Sequence, residues 1–141
     1  MFIGRYYHKL EDKGRVSLPK KFREIEKDWI VTRGLDGGLF VFKKSDFVEK
    51  IEEISQRTFT KKKNRDFVRL MVNEASQVTA DSNGRVPLPE YLIKSAQLKK
   101  ELVIVGSYSY LEVWDMDKYH QYLDTLEDQA ENIAESIENE N

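Results

Sequence analysis

The chain has 141 residues, 40% of them hydrophobic and 34% charged, with no cysteine and only two histidines, His8 and His120. That length suits one domain or two small halves sharing a core, and the longest aliphatic run, Leu102 to Val105, is far short of the roughly 20 residues that span a bilayer. Disulfides and thiolate metal sites are excluded, the histidines offer no metal-ligand spacing, and Met1 to Leu10 lacks a signal-type apolar core. A cytoplasmic protein that uses no metal, cofactor or membrane is therefore expected.

The formal net charge of -2 conceals an asymmetry. Residues 1–70 carry 18 Lys+Arg against 11 Asp+Glu, whereas residues 71–141 carry 5 against 14. Seven of those carboxylates fall in Asp124 to Asn141, a stretch without a base. Such a segment either shields a basic surface or only solvates a terminal helix.

In chain order, the first patterned element is Gly14-Arg15-Val16-Ser17-Leu18-Pro19. Val16 and Leu18 alternate with Arg15 and Ser17, the period of a strand with one buried face, and Pro19 suits the first turn of a short helix. Ile30-Val31 and Leu39-Phe40-Val41-Phe42 flank Gly37-Gly38 and predict a hairpin. Asp46 to Ile54 sets Phe47, Val48, Ile51 and Ile54 at helical spacing. Thr60 to Ala75 places Phe67, Leu70 and Met71 on one face and Lys61, Lys62, Lys63, Arg65 and Arg69 around the remainder, which predicts a linker helix. The lysine run is either a phosphate patch or a solubilising surface.

The pattern then starts again. Gly84-Arg85-Val86-Pro87-Leu88-Pro89 repeats the first motif at an offset of 70, with five of six positions identical. Ile104-Val105 follows in the place of Ile30-Val31, Gly106 to Ser109 supplies a second hairpin connection, and Leu111-Glu112-Val113-Trp114 matches Leu39 to Phe42. Met116 to Leu126 brings Tyr119, Tyr122, Leu123 and Leu126 to one helical face, and Ile133, Ala134 and Ile137 give the end of the chain a weak apolar stripe. The expected divisions are residues 1–59, a linker helix over 60–76, a second half over 77–123, and an acidic helix or tail over 124–141.

Each half has about 50 to 60 structured residues, too few for a good core of its own. The two most simply pack on each other as a pseudo-twofold α+β unit, with hairpins interlocking in a small barrel-like sheet and helices at the periphery. Gly14 and Gly84 tolerate positive φ, so each can turn the chain and expose the adjacent Arg15 or Arg85. Each planar guanidinium can donate two parallel hydrogen bonds to a matched pair of acceptors. A carboxylate four residues earlier, Asp81 or Glu11, can hold that side chain extended. Lys13-Gly14 and Asn83-Gly84 are also ordinary hairpin signals, beside which an arginine is simply solvated. Core packing explains recurring Val, Leu and Pro but makes no comparable demand on an exposed Arg, so its duplication favours a shared contact.

Met1-Phe2-Ile3-Gly4, Leu10 to Pro19 and Ala80-Asp81-Ser82-Asn83-Gly84-Arg85-Val86-Pro87-Leu88-Pro89 resemble the two motif copies of MraZ proteins. The likeness runs from Met1 to about Tyr122. These are bacterial DNA-binding regulators with two AbrB-like swapped-hairpin halves, and their motif is an Asp, three residues, then Arg. Asp81 and Arg85 satisfy it; the first copy has Glu11 four before Arg15, followed by Asp12, and either acid can take the orienting role. The resemblance implies repression by binding double-stranded DNA at direct repeats in the promoter of the division and cell-wall gene cluster. It also implies a nucleoid-associated, ring-shaped homo-oligomer.

The expected contact set is Arg15 and Arg85 with Lys13, Gly14, Asn83 and Gly84 of the turns. Lys20, Lys21 and Arg23, just beyond Pro19, would surround the first turn with charge suited to phosphates, or else form a solvated helix face. The second turn has only Arg85 and Lys94 nearby in sequence, so the first half is expected to supply more electrostatic affinity. No catalytic set is apparent: Glu52-Glu53 lacks a partnering His or a phosphate loop, and the histidines lack a nucleophile motif. The competing expectation is a protein-interaction module of antitoxin type, with structural turns and a docking helix over Asp124 to Ile137.

Overall fold

Two hairpins with apolar residues on both faces build the centre of the molecule. In the computed structural model, which describes residues 1–139, they are β3 (Asp28–Arg33) with β4 (Leu39–Lys43), and β7 (Glu101–Gly106) with β8 (Leu111–Asp115). They join along β4 and β8, with Leu39 opposite Val113 and Val41 opposite Leu111. Two further strands, β1 (Arg5–Lys9) and β5 (Ser76–Thr79), complete a six-stranded antiparallel sheet in the order β1-β7-β8-β4-β3-β5. The edge strands are exchanged: β1 of the first half lies on β7 of the second, and β5 of the second on β3 of the first.

The motif strands β2 (Arg15–Ser17) and β6 (Arg85–Pro87) stand apart as a two-stranded antiparallel ribbon. Val16 faces Val86 on the pseudo-twofold axis, and Leu18 and Leu88 donate their N–H groups to the Gly84 and Gly14 carbonyls at 3.0 and 2.8 Å. The six-stranded sheet is open, with β1 and β5 as its edges, and the ribbon packs beside both. This is the form the expected barrel-like core takes.

Alternation along the strands assigns the faces. Trp29, Val31, Leu39, Val41, Leu102, Ile104, Leu111 and Val113 point toward the ribbon, where Val16, Leu18, Val86 and Leu88 meet them. The short helices after the prolines, α1 (Lys20–Arg23) and α4 (Glu90–Ser95), add Phe22 and Leu92 to that core. On the opposite face, Ile30, Phe40 and Phe42 are covered by α2 (Lys44–Ser55) and α3 (Lys62–Asn73) through Phe47, Ile51, Phe67 and Met71. Thr32, fully buried, donates its hydroxyl to the Met71 carbonyl at 2.7 Å. Val103, Val105 and Trp114 are covered by Tyr119 and Tyr122 of α5 (Met116–Glu127).

Some expectations shift. Val31, not Ile30, is the counterpart of Ile104, because both point inward while Ile30 and Val103 point outward. One residue of register exchanges the two faces of a strand. Val48, Leu70 and Leu126 lie at the margins of their helical stripes and are 46%, 43% and 39% exposed. The last described helix, α6 (Ala130–Asn139), contributes no buried residue; its stripe of Ile133 and Ile137 faces solvent, and residues 140 and 141 of the expected acidic segment lie outside the described residues.

Glu112 occupies the place on β8 that Phe40 occupies on β4. Burial pushes its carboxyl above the ordinary range; a 2.6 Å hydrogen bond donated by Ser107 opposes the shift, and Asp36 adds to it. A carboxyl raised on folding stabilises the fold fully below its unfolded value, and that contribution is lost as pH rises through the folded value. Glu112→Gln is therefore expected to raise the melting temperature at about pH 7, with the gain shrinking toward about pH 4. Thermal denaturation at both pH values checks this.

Candidate nucleic-acid interface

The ribbon sorts its side chains by the same alternation. Val16 and Val86 are fully buried, which turns Arg15, Ser17, Arg85 and Pro87 to the other side, where they reach solvent. The two motif arginines thus share one face of one two-stranded element. In register, Arg15 lies opposite Pro87 and Ser17 opposite Arg85, so the arginines are diagonal neighbours.

Each arginine follows a tight turn built by the same backbone bonds. Glu11 N–H donates to the Arg15 carbonyl at 2.8 Å, and Asp81 N–H to the Arg85 carbonyl at 2.9 Å. Gly14 N–H returns to the Glu11 carbonyl and Gly84 N–H to the Asp81 carbonyl. Gly14 and Gly84 have φ of +71° and +77°, values at which a side chain is strained. Lys13 also sits at positive φ, +64°. In backbone terms, then, Glu11 is the counterpart of Asp81.

Their side chains act differently. Asp81 accepts the backbone N–H groups of Asn83 and Arg85 at 2.9 and 3.0 Å and the Arg85 Nε at 3.0 Å. The Arg85 N–H bond, with the others, holds its carboxyl below the ordinary range. Glu11 reaches across the ribbon: Ser17 donates to it at 3.2 Å and Arg85 Nη1 lies 3.7 Å away. Arg15 makes no such contact with Glu11. Its Nε donates to the Asp12 backbone carbonyl at 3.2 Å, and its Nη1 is 3.9 Å from Asp81. The expectation that Glu11 or the Asp12 carboxylate holds Arg15 extended is thus corrected: the shorter turn geometry around Asp81 is not available to the longer Glu11, and Arg15 shares Asp81 with Arg85. The arginines and these acids form one cluster, with Arg15 and Arg85 side chains 31% and 24% exposed.

The exchange of elements also relocates the surrounding charge. Arg23 of α1 lies over the second turn, where its Nη1 donates to the Asn83 carbonyl, and Gly84 is buried beneath it. Ile93 of α4 takes the matching place at the first turn, with its Cδ1 2.9 Å from where a Gly14 Cβ would stand. Lys20 lines a groove beside the second turn together with Arg23. Lys21 turns to the Tyr6 ring, its Nζ 5.2 Å from the centroid. The expectation that Lys20, Lys21 and Arg23 surround the first turn fails because each motif strand pairs with its twin and carries its helix to the other turn. What sequence order missed, the repeat itself signalled: nearly identical strands are self-complementary across a twofold axis.

Elsewhere, Tyr7 Oη is 3.1 Å from His120 Nε2 with the rings stacked, and Tyr110 packs on Phe40 and Phe42. Lys62 pairs with Asp66 at 2.6 Å on α3, away from the ribbon. Among the described residues no group of three His, Cys, Asp or Glu is placed to hold a metal, and no helix is long and apolar enough to cross a membrane.

Comparison with known proteins matches the chain twice to the family model "MraZ protein, putative antitoxin-like", over residues 1–70 and 71–139. Each match holds one Gly-Arg turn. The chain is 39% identical to the transcriptional regulator MraZ of Pediococcus pentosaceus, over 97% of this chain and 96% of that one. It is 35% identical to the transcriptional regulator MraZ of Finegoldia magna over the same shares, and 36% identical to that of Halothermothrix orenii over 98% and 97%.

Proposed function

The chain belongs to the MraZ family, and from that premise we propose that it is a sequence-specific DNA-binding transcriptional regulator whose two Gly-Arg turns make one reading face. The relatives' name, transcriptional regulator, supports the regulatory role. The observation that carries the DNA-reading role is the common exposed face of Arg15 and Arg85, joined through Asp81 while Val16 and Val86 anchor the ribbon from behind.

A two-stranded ribbon fits the major groove, where a bidentate arginine–guanine pair is worth about 1–3 kcal/mol of discrimination. The ion pairs that the arginines would exchange for guanine are partly exposed, and such pairs contribute about 0–1 kcal/mol. Giving up those pairs therefore costs little, and the acids keep each guanidinium aimed until DNA arrives. Asp81 acts on Arg85 and Arg15, and Glu11 on Arg85. The exposed Lys13 is placed to meet a phosphate beside the first turn, and Asn83 shapes the second. Gly14 and Gly84 set the backbone course that makes both turns possible.

One such face covers few base pairs. Useful affinity then comes from several copies held at fixed spacing, each later contact being made at high effective concentration. A homo-oligomeric ring meeting direct repeats upstream of the division and cell-wall gene cluster satisfies that demand. Repression follows from occupancy of the promoter, by a cytoplasmic, nucleoid-associated protein with no need for catalysis. Fluorescence anisotropy on that upstream duplex against a scrambled duplex tests the proposal: a preference that persists at raised salt supports it, and equal binding refutes it.

A partner-binding role of antitoxin type is the second reading. The family description and the outward-facing Ile133 and Ile137 of α6 favour it. Ending the chain at Gln129 separates the two, since retained DNA preference and assembly mass make the helix dispensable for the first.

A further inference from the structure

The two turns are unequally equipped, and the difference crosses between the halves. We propose that Lys20, Arg23 and Lys27 form a seat for a DNA backbone phosphate at the second turn, and that Arg23 also braces that turn. This rests on the DNA-reading function proposed above.

A groove of about 540 Å³ runs between α1 and the second turn, lined by Lys20, Arg23 and Lys27 on one side and by Asp81, Ser82 and Gly84 on the other. Glu24 also lines it, and the lining carries a net charge of +1. The acid on the turn side, Asp81, is already engaged by Arg85 and by two backbone N–H groups. By contrast, none of the three cations forms an ion pair among the described residues, although Arg85, Arg15, Lys94 and Arg33 all do. Cations that outnumber the acids of a concave surface and stand outside its ion pairs suit an external anion. The groove adjoins the turn that carries Arg85, so an anion there would be a phosphate of the duplex whose base Arg85 reads.

Arg23 does two things in this arrangement. Its guanidinium caps the Asn83 carbonyl and lies where any Gly84 side chain would stand, fixing the turn. Its remaining N–H donors are available to a phosphate. The first turn has no such device: at the positions matching Lys20, Arg23 and Lys27 stand Glu90, Ile93 and Gln97, and Ile93 covers Gly14 with apolar surface. One turn is thus anchored to the DNA backbone and the other lacks that anchor.

The test is the salt dependence of DNA binding by the full chain between about 50 and 200 mM salt, on the native and scrambled duplexes. Each lost phosphate contact lowers the slope of log K against log salt by about 0.9. Lys20→Ala and Lys27→Ala, both at exposed positions, are expected to lower the slope by up to that amount on both duplexes. Arg23→Ile, which copies the first turn, is expected to lower both the slope and the preference for the native duplex. Lys21→Ala is expected to leave the slope unchanged. Unchanged slopes for Lys20→Ala and Lys27→Ala, with a wild type that prefers its native duplex, overturn the phosphate seat and leave the reading face intact. No preference in the wild type removes the reading face and the seat with it. A change in assembly mass without a change in slope gives the groove to a contact between copies and also overturns the seat.

Discussion

Replacing either Arg15 or Arg85 by alanine is expected to lower the preference for the native duplex by about 1–3 kcal/mol, roughly 5- to 150-fold, while the protein stays folded. Both side chains leave the solvent face of the ribbon, and the valines that anchor it remain in place. The two losses are not equal. Arg85 is the partner of both Asp81 and Glu11, so Arg85→Ala leaves those carboxylates less neutralised on a surface that must approach phosphate. Arg15→Ala removes the 3.2 Å hydrogen bond to the Asp12 backbone carbonyl and, among the carboxylates, only the longer 3.9 Å contact to Asp81. Arg85→Ala is therefore the more damaging, and because the arginines share one acid the double substitution departs from additivity. Arg85→Lys keeps the charge but not the planar fork, and is expected to lose sequence preference more than total affinity. Anisotropy titrations on both duplexes, with circular dichroism to confirm folding, provide the measurement.

Dividing the chain between Asn73 and Glu74 is expected to abolish folding of both fragments. The first fragment retains β3 and β4 but loses the partners of every remaining strand: β7 for β1, β6 for β2, and β5 and β8 for the flanks of its hairpin. An isolated hairpin is marginal in water, and the inner core, from Trp29 and Val31 to Leu111 and Val113, draws on both halves. Mixing the fragments is expected to restore native far- and near-ultraviolet circular dichroism. A cooperative melting transition from residues 1–73 alone contradicts the shared core.

The duplication made much of this fold legible. The order of motif strand, proline, short helix, hairpin and helix can be read twice along the chain, and the alternation of Leu39 to Phe42 marks which residues meet which layer. The edge strands β1 and β5 were not legible, because Arg5 to Lys9 and Ser76 to Thr79 alternate weakly and are ordered by strands distant in sequence. The same exchange hid the charge distribution. Arg23 lies eight residues after Arg15 yet caps Asn83, sixty residues away, because pairing of β2 with β6 carries α1 to the other turn. Glu11 and Asp81 differ by one methylene, and only the folded ribbon reveals that the longer acid crosses to Arg85 and not to its own Arg15.

Whether both turns of one chain face one duplex is read out by interference from guanine N7 methylation. Native duplex methylated at random is bound by the wild type, Arg15→Ala and Arg85→Ala, and the guanines whose methylation blocks binding are mapped for each. An arginine held at guanine N7 is sensitive to that methyl group, and its removal erases the interference at that base. Arg15→Ala is expected to erase one guanine and Arg85→Ala another, the two lying within about 5 base pairs, half a helical turn, in the same repeat. Guanines in separate repeats, or patterns that neither substitution alters, would contradict the shared duplex.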